Sequence, residues 1–65
     1  MNIGEIIYST RKAQGKSRER LEAESGVSVT TILSIERGRG MHIDTLLLLC
    51  DALGLELKIE RKAAA

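Results

Sequence analysis

The sequence contains almost none of the residues that small domains use for covalent or metal cross-links. Among its 65 residues there is one cysteine, Cys50, and one histidine, His42. One cysteine excludes a disulfide within the chain, and these two residues cannot supply the four ligands of a structural zinc site. A domain of this length therefore needs efficient packing, a partner subunit, or both.

Aromatic residues and proline are scarce as well. Tyr8 is the only aromatic residue, and there is no proline, tryptophan or phenylalanine. The hydrophobic core must therefore be built from branched aliphatic side chains. Chain turns must depend on glycine, the residue that best tolerates a left-handed backbone conformation.

An excess of one charge and long apolar runs are also missing. Ten Lys and Arg residues face nine Asp and Glu residues, for a net charge of +1. The bases are unevenly placed, because five of them surround one acid, Glu19: Arg11, Lys12, Lys16, Arg18 and Arg20. No apolar run approaches the ~20 residues of a membrane span, and no secretory signal is visible. With one unpaired thiol, this predicts a cytoplasmic protein without membrane partners.

Glycines and helix-capping residues divide the chain into four segments of helical length. Asn2, Ser17 and Ser28 are good N-caps, and glycines follow each segment. The fourth segment has the clearest helical spacing of apolar residues, at 43, 46, 47, 50 and 53. We predict one domain over 1–65, with an uninformative tail at 61–65 and helices at about 3–14, 18–25, 29–37 and 43–53.

After Gly54 the pattern changes to strict alternation. Leu55, Leu57 and Ile59 form one apolar face, and charged residues separate them. This pattern predicts a strand over about 55–60. No other segment has a strand pattern, so we expect the strand to pair antiparallel with a second copy of the chain about a two-fold axis.

The sequence offers little for catalysis. His42 and Cys50 are eight residues apart and lack a third partner, and neither common phosphate-binding glycine pattern occurs. Acids such as Glu22 and Glu24 are typical of a solvated helix face. We therefore expect a protein that is not an enzyme and needs no cofactor.

Two short capped helices separated by a tight glycine turn have the spacing of a helix-turn-helix. Within them, Ser17-Arg18-Glu19-Arg20-Leu21, Gly26-Val27-Ser28, Thr31-Ile32 and Ile35-Glu36-Arg37-Gly38 resemble the lambda-repressor/Cro-like (XRE-type) helix-turn-helix family. The later runs Ile43-Asp44-Thr45-Leu46-Leu47 and Ala52-Leu53-Gly54-Leu55-Glu56-Leu57 resemble its HipB-type antitoxin branch. The resemblance covers about residues 3–60.

The resemblance implies an all-α domain of four to five helices, with a C-terminal strand that pairs across a dimer through Leu55, Leu57 and Ile59. It places the second helix of the motif in the major groove of double-stranded DNA. The implied DNA-binding residues include three at base edges, followed by phosphate or flanking contacts: Val29, Thr30 and Ser34, then Arg18, Ser28, Arg37 and Arg39. Arg11 and Glu36 match a family salt bridge that sets the angle of this helix.

We therefore predict a dimeric, sequence-specific transcriptional regulator that represses from a palindromic operator. One alternative is an antitoxin subunit whose main task is to bind a toxin protein, with apolar Ile6 and Leu48 as candidate contacts. Another is a structural domain that has lost DNA binding, which the near-neutral charge leaves open.

Overall fold

The computed structural model describes residues 2–62 and is all-helical over that range. Residues 2–62 contain four helices and no strand: α1 (Ile3–Ala13), α2 (Arg18–Ser25), α3 (Val29–Glu36) and α4 (Ile43–Leu53). The prediction of an all-α domain is confirmed. The first and third predicted helices run one residue too far, because Gln14 and Arg37 occupy the C-cap positions.

Capping residues mark where the helices begin and end. The Asn2 side chain accepts a hydrogen bond from the Gly4 N–H at 2.8 Å, and the Ser17 Oγ accepts one from the Arg20 N–H at 3.0 Å. These contacts satisfy amide groups that have no partner within their helices. Gly26 and Gly54 end α2 and α4 with left-handed φ angles of 80° and 71°. A side chain at either position would be strained.

The core is aliphatic and receives residues from every helix. Five large side chains are fully buried, one from α1, one from α2, two from α3 and one from α4: Ile7, Leu21, Ile32, Ile35 and Leu49. Val27, in the turn between α2 and α3, is also buried in this cluster. The core therefore ties the α2–turn–α3 unit to α1 and α4.

Residues 55–60 do not form a strand in the single chain. The Leu55 N–H donates to the Cys50 carbonyl at 2.8 Å, and no backbone–backbone hydrogen bond within 2–62 involves residues 56–62. Leu55 and Leu57 pack against the core, whereas Ile59 is 86% exposed. The predicted strand is therefore not shown, and its pairing with a second copy stays a prediction, because one chain alone supplies no partner strand. The last three residues of the predicted tail, 63–65, lie outside the described residues.

None of the helices described is long and apolar enough to traverse a bilayer, since α1 and α4 have only 11 residues each.

Candidate nucleic-acid interface

The segment between α2 and α3 is held by hydrogen bonds at each step. The Gly26 N–H donates to the Glu22 carbonyl at 2.8 Å, and the Val27 N–H donates to the Ser25 Oγ at 3.0 Å. Ser28 then caps α3, with its Oγ accepting from the Thr31 N–H at 3.2 Å. These bonds, together with buried Val27, hold α3 in a defined position relative to α2.

One side of α3 is buried and another is accessible. Ile32 and Ile35 are fully buried against the other helices. Thr30 and Arg37 are exposed and Ser34 is half-buried, at the i, i+4, i+7 spacing that places residues on one side of a helix. Two half-buried apolar residues, Val29 and Leu33, lie beside them. The predicted base-edge residues therefore lie together on α3.

Two arginines extend this accessible side beyond the end of α3. Arg37 and Arg39 are exposed, and neither makes a salt bridge with any residue in the range 2–62. The Arg39 N–H donates to the Ser34 carbonyl at 3.0 Å, which holds the Arg39 backbone close to α3. Their side chains can therefore reach an anion that lies alongside the helix.

The basic residues at 11–20 are largely paired rather than available. Lys16 Nζ lies 2.7 Å from a Glu24 carboxylate oxygen and also donates to the Ala52 carbonyl at 3.1 Å. Arg20 Nε binds the other Glu24 oxygen at 3.1 Å. The Lys16 ammonium and the Arg20 guanidinium hold the pKa of Glu24 below its ordinary value. This cluster is therefore not an open cationic patch.

Glu36, the last residue of α3, binds two arginines in a nearly dry site. Arg11 Nε lies 2.7 Å from its Oε2, and these side chains are 6% and 3% exposed. Arg18 places Nε and Nη2 each 2.9 Å from Glu36 Oε1, and its side chain is 33% exposed. Arg18, the predicted phosphate contact, thus also braces α3.

Glu22 is a residue whose position near α3 the sequence analysis missed. Its Oε2 accepts a hydrogen bond at 3.3 Å from the N–H of Val29, the first residue of α3. Pattern reasoning had assigned Glu22 to a solvated helix face. The only signal in the sequence was its position on the last turn of α2, beside the glycine turn.

Gly4 is a second residue that pattern reasoning missed. It is buried in the first turn of α1, where an added Cβ would lie 3.0 Å from the Glu36 carbonyl oxygen and closer still to that of Ile35. The close approach of α1 to the end of α3 therefore requires glycine. A glycine inside a predicted helix was the available signal.

The residues predicted to form a protein interface are divided between two places. Leu55 and Leu57 line an apolar groove between α1 and α4, together with Ile6. Leu48 does not line this groove and is 51% exposed on α4.

The structural motif agrees with a comparison to protein families. A family model described as helix-turn-helix matches residues 7–59, which include α2, the turn, α3 and α4. The chain belongs to the XRE-type helix-turn-helix family. The XRE-type resemblance seen in the sequence is confirmed, and DNA binding in transcription regulation is the function that this family membership supports. A search of curated proteins finds no match to the chain.

Proposed function

We propose that this helix-turn-helix protein is a sequence-specific repressor that binds a palindromic operator as a dimer, with α3 in the major groove. The observation that carries the proposal is the division of α3 between buried Ile32 and Ile35 and accessible Thr30 and Ser34, with exposed Arg37 at its C-cap. A helix in the major groove must keep one side packed against the protein while its other side is open to the base pairs.

The accessible side chains suit the chemistry of base pairs. The hydroxyl groups of Thr30 and Ser34 can donate or accept hydrogen bonds at base edges, and the Val29 side chain and Thr30 methyl suit a thymine methyl group. Arg37 and Arg39 lie where long cationic side chains can bind phosphates on either side of the groove. Arg18 keeps one third of its side chain exposed, which leaves part of its guanidinium for a phosphate while it binds Glu36.

The combined substitution Thr30→Ala and Ser34→Ala tests this assignment. We expect operator affinity of the dimer to fall by at least about 30-fold, because each of the two protomers loses two hydrogen bonds of about 0.5–1.5 kcal/mol. Binding to random DNA should change little, since phosphate contacts position the protein and base contacts specify the sequence. The measurement is a titration of labelled DNA, with an operator selected from a random library by the wild-type chain.

Two further variants make the result decisive. Arg37→Ala should weaken binding to operator and random DNA alike, and should reduce the slope of log K against log salt by about one phosphate contact per protomer. Ser9→Ala, on the exposed part of α1, should change neither affinity. If the Thr30/Ser34 variant lost both affinities equally, the assignment of α3 to the base edges would be wrong.

The dimer is supported by the state of residues 55–60. Within the described residues, the backbone groups of 56–60 make no hydrogen bond to other backbone groups, and Ile59 is exposed beside an apolar groove-lining segment. Antiparallel pairing of two such segments would satisfy these groups and cover Ile59. It would also relate two α3 helices by the two-fold symmetry of a palindromic site.

A second candidate function is favoured by apolar residues exposed on α4. Ile43, Leu47 and Leu48 are 50%, 47% and 51% exposed, respectively. Clusters of this kind favour a protein partner, as expected of an antitoxin subunit of the HipB type. A neighbouring gene that encodes a kinase-like toxin, and whose product co-purifies with this chain, would support this candidate over repression alone.

A further inference from the structure

α2 has few apolar side chains that could pack against α3. Leu21 is its only buried residue, and five of its eight residues are charged. One buried side chain can keep two short helices in contact, but it does not fix how one is rotated or tilted relative to the other. The orientation of α3 therefore needs further contacts.

Two charged residues of α2 supply contacts at the two ends of α3. Arg18 and Glu22 are four residues apart and so lie on the same side of α2. Arg18 binds the carboxylate of Glu36, the last residue of α3, with two 2.9 Å contacts. Glu22 accepts a 3.3 Å hydrogen bond from the N–H of Val29, the first residue of α3.

We propose that Arg18 and Glu22 form a two-point clamp that orients α3, and that Glu22 is a positioning residue for operator specificity. This inference rests on the proposed function. The charges at both ends agree with the helix dipole. The Glu22 carboxylate lies at the positive N-terminus of α3. The unfavourable charge of Glu36 at the C-terminus is offset by Arg18 and Arg11.

The clamp bears on specificity more than on general affinity because of the lengths of the side chains involved. α3 has eight residues and is about 12 Å long, so a small tilt at one end moves its outer atoms appreciably. The short hydroxyl side chains of Thr30 and Ser34 cannot follow such a shift. The long, exposed side chains of Arg37 and Arg39 can follow it and keep their phosphates.

The clamp also occupies an amide group at the start of α3. Glu22 binds the Val29 N–H, and Ser28 binds the Thr31 N–H. These two amides are therefore engaged within the protein rather than free for a DNA phosphate. A carboxylate at this point gives the helix its orientation without adding affinity for DNA in general.

The test compares Glu22→Ala with Glu22→Gln, because glutamine keeps an oxygen acceptor for the Val29 amide and lacks the charge. Glu22→Ala should lower the ratio of operator affinity to random-DNA affinity about three- to tenfold for each protomer, the equivalent of one hydrogen bond per protomer. Glu22→Gln should keep most of the wild-type ratio of operator affinity to random-DNA affinity. Glu19→Ala is the matched control, since it removes the same charge from an exposed position on α2 that makes no salt bridge or side-chain hydrogen bond within 2–62.

A second readout needs no DNA. In the amide NMR spectrum of the free protein, Glu22→Ala should shift the Val29 resonance more than either Glu22→Gln or Glu19→Ala does. The clamp proposal would be wrong if the Val29 amide did not shift in Glu22→Ala. It would also be wrong if Glu22→Ala and Glu19→Ala had equal affinity ratios. Either result would leave the DNA-binding function in place. A wild-type chain that prefers no DNA sequence would overturn the proposed function, and the specificity role of Glu22 with it.

Discussion

At the scale of single residues, the most unusual feature is one nearly buried ion pair, Arg11 with Glu36. The Glu36 and Arg11 side chains are 3% and 6% exposed, so their pairing takes place with little water. A charge in such a site is stable only while its partners are present, since desolvation of an unpaired ion costs several kcal/mol. Arg11 is held further by its Nη1, which donates to the Lys16 carbonyl at 2.9 Å. The pair therefore joins α1, the following loop and the end of α3.

Glu36→Ala should destabilise the fold by about 3–5 kcal/mol, because it leaves Arg11 without a counter-charge in the core. A domain of this size has roughly 3–10 kcal/mol in total, so the loss should be plain in urea unfolding. Glu24→Ala should have a much smaller effect, because the Glu24 side chain is 35% exposed and Lys16 keeps its hydrogen bond to the Ala52 carbonyl. Equal unfolding midpoints for the two variants would show that the buried site is not important for stability.

The single thiol should be poorly reactive in the folded chain. Burial raises the pKa of Cys50 above its ordinary value, and the side chain lies in the core cluster. The reactive thiolate is therefore scarcer at mildly alkaline pH than for a free cysteine, and reagents reach it poorly. Reaction with a thiol reagent should be slow in buffer and should accelerate to the rate of a model peptide in denaturing urea. A native rate equal to the model-peptide rate would contradict the buried position.

At the scale of helices, α3 is held by contacts from three directions. α1 approaches its C-terminal end at Gly4, α2 contacts both of its ends through Arg18 and Glu22, and its central isoleucines enter the core. The helix that carries the proposed base contacts is thus held at its middle and at both ends. Such constraint favours short side chains as readers of bases, because their positions depend on the backbone.

Gly4→Ala tests the closest helix approach. The added Cβ would meet the Ile35 and Glu36 carbonyl oxygens, so α1 and α3 must move apart. Overpacking of this kind costs about 1–3 kcal/mol, which thermal unfolding can measure. Gly40→Ala is the matched control, since its Cβ meets nothing within 4 Å and its φ is not positive. Its stability should be unchanged or slightly raised. Equal effects at both positions would argue against the close approach.

At the scale of the whole molecule, the segment after α4, residues 55–60, is the part of the chain whose contacts differ between a monomer and the proposed dimer. Its inner residues Leu55 and Leu57 cover the protein's own core, while Ile59 is left in solvent. An isolated two-stranded ribbon is marginal in water, and packing of Leu55 and Leu57 beneath it provides the support that such a ribbon needs. The same segment can therefore serve both the monomer core and the proposed dimer.

Leu57→Pro should convert a micromolar dimer into a monomer and abolish tight operator binding, since proline removes a backbone donor from the ladder. Sedimentation velocity measures the change. Because Leu57 also packs on the core, Ile59→Lys provides an independent variant at an exposed position, with Glu60→Lys on the opposite face as its control. Ile59→Lys should weaken the dimer and Glu60→Lys should not. A wild-type chain that sediments as a monomer would exclude the dimer.

The sequence by itself determined the four helices, three of their N-caps and most of the core. It did not place every apolar residue, since Ile43 and Leu47 of the predicted apolar face of α4 are half exposed and Leu49 is fully buried instead. The helices and their caps depend on interactions within about one helical turn, such as Ser17 with the Arg20 amide, and can therefore be inferred from local patterns.

Apart from Arg11 with Glu36, which the family resemblance implied, only the tertiary structure decided the partners of the charged residues. Glu36 meets Arg11 and Arg18 from 25 and 18 positions away, and Gly4 meets α3 across the fold. Such contacts depend on how the helices pack, which no local pattern specifies. One folded chain does not decide whether residues 55–60 form a strand, because a strand needs a second strand to pair with its backbone.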